Sequence, residues 1–239
     1  MNKRAIVSIT FVVLVIVVAI SFSSYQANLL VMHDKTKYLE EIAAKQQAYL
    51  ESISVDANIV NLENGSPPLG SESASITIVE FGDYQCEACY HWFHNTRDTL
   101  IDNYIETGKA KLVFVDLPFL GRDSPKAAQA SYCAEDQGKY WEYHTILYTF
   151  QDGQPDSGWA DRDRLNSFAF SLDMNMDEFN DCMDSSKYQK RVKANYDEAV
   201  KNGVQQTPTF IIISQDGTIE KFAGAQPYSV FAATIEPML

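Results

Sequence analysis

The sequence predicts an α/β domain interrupted by a helical insertion, with a long apolar segment and a helical stalk ahead of it. Three observations carry this prediction. Two short apolar runs, "SITIVEF" (75–81) with its Ile and Val and "KLVFVDL" (111–117), bracket a stretch of helical length and composition from Cys86 to about Tyr104. From Asp123 to Asn202 the pattern turns to helices, and strands resume only with "TFIII" (209–213). With 239 residues, 46% of them hydrophobic and 12% aromatic, the chain can fill a sizeable core around such a sheet.

In chain order, Lys3 and Arg4 precede Ala5–Phe22, an uncharged and almost wholly apolar run. At 1.5 Å per residue a helix of that length spans roughly 27 Å, close to a hydrocarbon core. The basic residues place positions 1–4 in the cytoplasm and everything after Phe22 outside. The length of the run favours an uncleaved anchor at 5–22 over a signal peptide, for which Ala19-Ile20-Ser21 would be the cut; both readings export the domain.

Residues 23–70 read as stalk and linker. Met32, Leu39, Ile42, Tyr49 and Ile53 recur at helical spacing, but Lys35 and Gln46 interrupt the stripe, which falls short of the clean heptads of a coiled coil. "NLENGSPPLGSES" then ends the helical pattern as a linker and holds Asn64-Gly65-Ser66, a glycosylation triplet. The folded domain follows at 71–239, with its helical insertion at about 120–203. Ser124 before Pro125 is expected to cap the first inserted helix. Leu165, Phe168, Ala169 and Leu172 mark another, and Tyr188, Val192, Tyr196 and Ala199 a last one stopped by Gly203. Asp216-Gly217 turns "TFIII" into "TIEKF" (218–222).

The formal net charge is −13, and because residues 1–22 carry only Lys3 and Arg4, the remainder carries −15 (−13 minus +2). Nucleic acid is thereby excluded as a partner, and the acidity reads as a solubilising surface.

The chemistry lies in "TIVEFGDYQCEACYHWFHN" (77–95). Cys86 and Cys89 form a redox pair, half of a metal site, or a structural bridge. A Cys-x-x-Cys that follows a buried strand and opens a helix sets its first sulfur over unsatisfied N–H groups and the positive end of the dipole. A thiolate is stabilised there, which makes Cys86 the reactive sulfur and Cys89 the resolving one. His91 and His94 complete a C-x-x-C-x-H-x-x-H pattern, but tetrahedral zinc needs a loop between its ligand pairs, whereas one residue separates them here. On one helix Cys86 and His94 are about 12 Å apart along the axis. Redox chemistry is therefore the favoured reading, with no metal, and the histidines read as helix-surface side chains.

With "GVQQTPTF" (203–210) placed beside the cysteine pair, the chain resembles the thioredoxin superfamily and, within it, the DsbA-like thiol:disulfide oxidoreductases. The resemblance covers about residues 68–236 and includes "IVEFGDYQCEAC" and "YCAEDQGKYWEYHTILY". It implies a thioredoxin fold with an inserted helical domain, a cis Pro208 against the cysteines, and a Thr207 whose backbone groups meet an extended substrate segment. Glu80, six residues before Cys86, matches the family's buried acid beneath the resolving cysteine, where a carboxylate of raised pKa exchanges protons with Cys89. Glu87 and Ala88 stand where strongly oxidising relatives have Pro-His. A carboxylate there counters the dipole, so Cys86 should be less stabilised as a thiolate.

Cys133 and Cys182 sit in the insertion. Cys182 follows Met176 and Phe179 on an apolar stripe, as a buried free thiol would; export, an even cysteine count and the bridge found in some relatives favour a Cys133–Cys182 disulfide instead.

The expectation is an exported, membrane-tethered enzyme that introduces disulfides into substrate proteins with free thiols, without a cofactor, and is reoxidised by a quinone-linked membrane partner. A reductase or isomerase using the same cysteines is the second reading, and a noncatalytic metal-binding or adaptor module the third.

Overall fold

The computed structural model describes residues 60–239 and the single position Lys37. The expected N-terminus at 1–4, the anchor at 5–22 and the stalk stripe from Met32 to Ile53 lie outside the described residues, among which no helix is long and apolar enough to cross a membrane.

Five strands form one mixed sheet in the order β1-β3-β2-β4-β5. β1 is Leu69–Gly70, β2 Ile76–Gly82, β3 Ala110–Asp116, β4 Thr209–Ser214 and β5 Ile219–Ala223. β2 and β3 run parallel, and the remaining pairs are antiparallel. The central strands are apolar on both faces because helices cover both. On one face Ile76, Ile78, Leu112, Phe210 and Ile212 pack with Trp92, Leu100, Tyr104, Phe231 and Ile235. On the other, Val79, Phe81, Val113, Val115 and Ile211 pack with Ala199 and Val204.

Between β2 and β3 runs α1, built from an α-helical start at Glu87–Trp92, a π-helical turn at Phe93–Arg97, Asp98–Leu100, and a second π-helical turn at Ile101–Ile105. Such turns are rare and concentrate near functional sites. The insertion supplies α2 (Ser124–Glu135), α3 (Tyr140–Thr149), α4 (Arg162–Ser171), α5 (Met176–Asp184) and α6 (Gln189–Lys201), and α7 (Tyr228–Ile235) closes the fold. A third core joins the inserted helices to the start of α1, uniting Cys86, Cys89 and Phe93 with Tyr143, Leu147, Tyr148, Phe168 and Phe179. Cys133 on α2 and Cys182 on α5 are disulfide-bonded within it.

Three local readings change. Residues 61–70, read as linker, belong to the domain's edge: β1 pairs with β3, the Ser66 hydroxyl accepts the Phe114 N–H at 2.9 Å, and Arg191 donates to the carbonyls of Asn64 and Gly65. Gly and Pro content signalled a break in the helix, but the unpaired edge of β3 gives the segment backbone partners. Ser124 does not cap α2. Asp123 holds that position, while the buried Ser124 hydroxyl accepts from the Gln85 side chain at 2.9 Å. On α6 the inward residues are Val192, Asn195 and Ala199, and Tyr196 is exposed; Asn195 is drawn inside by hydrogen bonds to Asp116 (3.0 Å) and Tyr132 (2.7 Å).

Candidate active site

The turn from β2 into α1 carries both cysteines. Cys86 is the helix N-cap, with extended backbone, and its sulfur accepts the Cys89 N–H at 3.1 Å. The first sulfur thus does for a free helical N–H what a Ser or Asp oxygen does elsewhere. Cys86 is 4% exposed and Cys89 is fully buried, so the first sulfur is the outer one. Both are thiols in this structure. Across from them the Thr207–Pro208 bond is cis, and the Cys86 thiol donates to the Thr207 carbonyl at 3.3 Å.

The two thiols are driven apart electrostatically. Hydrogen bonding from the Cys89 thiol, helped by the Thr207 side chain and the Cys89 N–H, lowers Cys86 against burial and the Asp83 carboxylate. Burial pushes Cys89 well up, and the neighbouring Cys86 sulfur and Glu80 push it further. One proton therefore stays on the inner sulfur while the outer one becomes thiolate first.

Glu80 is inside the molecule, not at a wet strand end. It lies in the central strand β2 opposite Phe114 and Phe210, on the face shared with Ile76 and Ile78. Period-two alternation aims it at the α1 side of the sheet. Both carboxylate oxygens are buried and lack a hydrogen-bond partner among the described residues. Burial pushes its pKa up to about 8, with Arg97 pulling down and Cys86 pushing up.

Glu87 is exposed and sits 3.8 Å from His91 one turn on, a pair facing solvent. The carboxylate that opposes the Cys86 thiolate is Asp83. Ala88 is half-buried against the core of the insertion. His91 and His94 lie on the exposed side of α1, and no cluster of His, Cys, Asp and Glu suited to a metal occurs among the described residues.

Several residues that hold this turn escaped the sequence reading. Asp83 accepts the N–H groups of Gln85 (2.8 Å), Phe119 (2.9 Å) and Leu120 (3.0 Å), tying the turn to the loop after β3. The Gln85 side chain donates to Ser124 and, at 3.3 Å, to Asp156, whose N–H returns a 2.7 Å bond. Gln151, after α3, donates to the carbonyls of Tyr84 and Cys86. The insertion therefore clamps the cysteine turn from two sides. Spacing carries no signal for this, since the partners are 39 to 71 residues apart. Arg97 did leave one: Cys89, Trp92, Phe93, Thr96, Arg97 and Leu100 form a helical stripe in which it is the sole charge.

A family model described as "Thioredoxin" matches residues 63–236. The chain is 31% identical over 180 residues to "Disulfide bond formation protein D" of Bacillus subtilis (strain 168), covering 73% of this chain and 78% of that one. Among solved structures, alpha-DsbA1 of Wolbachia pipientis superposes with a TM-score of 0.68 at 26% identity, over 77% of this chain and 96% of that one. BdbD from Bacillus subtilis, in its oxidised form, gives 0.67 at 26% identity, over 74% and 94%. The matched span includes the strand, the cysteine turn, the inserted helices and the cis-proline loop, and the chain belongs to the thioredoxin family as a DsbA-like thiol:disulfide oxidoreductase that introduces disulfide bonds.

Proposed function

We propose that Cys86 is the sulfur that meets substrate, Cys89 the resolving sulfur, and Glu80 the group that exchanges a proton with Cys89. The observation that carries this is the outer, hydrogen-bonded Cys86 over an inner, fully buried Cys89. A substrate thiolate attacks Cys86 of the Cys86–Cys89 disulfide, the S–S bond breaks, and Cys89 leaves as a thiolate that takes the Glu80 proton. A second substrate thiolate attacks the substrate sulfur of the mixed disulfide; Cys86 departs as the stabilised thiolate, and the substrate leaves with a new disulfide. Two electrons remain on the enzyme.

Thr207 and the cis Pro208 form the wall opposite Cys86, where an extended substrate segment pairs with the Thr207 backbone. Glu87 and Ala88 tune the poise, with Glu87 acting weakly from the surface. Substrates are exported proteins with free thiols, and a quinone-linked membrane partner takes the electrons. The apolar run at 5–22 anchors the chain, with the catalytic domain outside the cytoplasm, and tethering raises the effective concentration of the domain at such a partner.

Oxidation of a reduced two-cysteine peptide by stoichiometric disulfide-form protein tests the direction. The wild type should oxidise it faster than it reduces insulin in a paired assay, and Cys86→Ser should do neither. Insulin reduction that outpaces peptide oxidation would make the protein a reductase.

A further inference from the structure

Arg97 is a buried cation of α1. It lies on the inward stripe of α1 and is 7% exposed. A charge so placed is costly unless something opposite in sign compensates it. Its one ion pair among the described residues, Nη1 to Asp98 at 3.3 Å, reaches a carboxylate whose side chain is 84% exposed, so that contact is weak. Nε is buried without a hydrogen-bond partner among the described residues. The guanidinium lies 4.8 Å over the Phe93 ring, Phe93 stacks on Tyr148 at 5.2 Å, and Tyr148 in turn feels the charges of Cys89 and Glu80. Glu80, with its two unpartnered oxygens, is the buried carboxyl on the sheet face that α1 covers.

We propose that Arg97 is a positioning residue of the reaction, the buried counter-charge that keeps Glu80 able to accept the proton of Cys89. This rests on the reading of Glu80 given above. Burial without compensation holds a carboxyl in its acid form, which donates a proton but does not take one back. Attraction to a cation in a poorly screened interior favours the carboxylate, and Arg97 is the largest influence lowering Glu80. The other groups facing Glu80 are Cys86 and Cys89 from the turn and Tyr148 from α3, all of which become anions on losing a proton. Arg97 faces Asp98 on its own helix and His144 of α3, which burial and the Arg97 charge keep neutral.

The step affected is closure of the dithiol. Once the Cys86 thiolate has displaced one half of an oxidant's disulfide, Cys89 gives its proton to the Glu80 carboxylate and attacks Cys86. The bond from Cys86 to the oxidant's sulfur breaks, that sulfur leaves as a thiolate, and the Cys86–Cys89 disulfide forms, so two electrons have passed to the oxidant.

The test uses glutathione disulfide as oxidant and follows release of glutathione from the Cys86 mixed disulfide against pH, alongside the ¹³C carboxyl signal of Glu80. Arg97→Met and Arg97→Gln should move the Glu80 midpoint up by at least one pH unit and slow release about tenfold at pH 7. Arg97→Lys, which keeps the charge, should return most of the difference. Glu80→Gln should abolish the step, and Arg97→Met added to it should change nothing more. A midpoint unmoved in both neutral variants, while Glu80→Gln abolishes it, overturns the role of Arg97 and leaves that of Glu80 standing. A midpoint that survives Glu80→Gln overturns both. If the neutral variants do not fold, the wild-type Arg97 Nε resonance decides: a titration sharing the Glu80 midpoint and absent from Glu80→Gln supports the coupling, and an unrelated midpoint refutes it.

Discussion

Replacing Glu80 by Gln should stabilise the fold when no Cys86–Cys89 bridge is present, by an amount that grows with pH. In the fold the carboxyl titrates at about 8, against 4.5 when unperturbed. Between those values the unfolded chain has lost a proton that the folded chain keeps, so stability falls as pH rises, at about 1.4 kcal/mol per pH unit. Below 4.5 both states are protonated and Glu80 contributes no such penalty; above 8 both are ionised and the penalty is complete. From 4.5 to 7 the penalty reaches about 3 kcal/mol, and over the whole window about 5 kcal/mol. Glutamine has nearly the same volume and is neutral throughout. The difference between the two proteins therefore isolates this one proton. The assay is urea denaturation between pH 4 and 8.5 of Glu80 and Glu80→Gln proteins, both in a Cys86→Ser/Cys89→Ser background that leaves Cys133–Cys182 intact. The two stability curves should diverge as pH rises, with the Gln variant above. Parallel curves would refute the reasoning, because they would mean that Glu80 is already ionised inside the fold.

Cys89→Ser should accumulate mixed disulfides through Cys86, and Cys86→Ser should accumulate none, as mass spectrometry of trapped adducts will show; adducts on Cys89 would reverse the assignment of the nucleophile. Changing Cys133 and Cys182 together to Ala should cost about 4 kcal/mol in urea denaturation, from loss of closure of a loop of 49 residues, while the Cys86 thiolate absorbance keeps its midpoint. Glu87→His should raise the two-electron potential by less than the roughly 30 mV that one full pKa unit at Cys86 would give, because Glu87 faces His91 and solvent. A more reducing potential in that variant would mean that the charge at position 87 does not act through the Cys86 thiolate.

Much of this was readable in advance because it is local. β2, β3 and β4 fall within a residue of the apolar runs that mark them, since burial on both faces demands continuous hydrophobic stretches. The start of α1 at the cysteine pair follows from the strand before it, and Gly203, at a φ of +62°, ends α6 as a residue without Cβ can. The edges were less readable. β1 is two residues long, and no pattern in "SPPLGSES" announces that β3 would leave backbone groups for it to pair with.

At the site the division is one of sequence distance. Residues 86 to 89 carry their own logic: two sulfurs one helical turn apart at a helix start are set apart in burial and protonation by position alone, and that could be derived from spacing. Whether Glu80 was a solvated strand end or a buried acid depended on which strand became central and which helix covered it. The same holds for Arg97, whose charge interrupts an apolar stripe but gains meaning only from the groups packed around it, Glu80 among those that feel its charge. The clamp of Gln85, Ser124, Gln151 and Asp156 on the cysteine turn joins elements far apart in the chain. Periodicity and capping report what a segment does with its own backbone and its nearest turn; desolvation and Coulombic coupling depend on every atom packed around a group, and only the assembled fold supplies those neighbours.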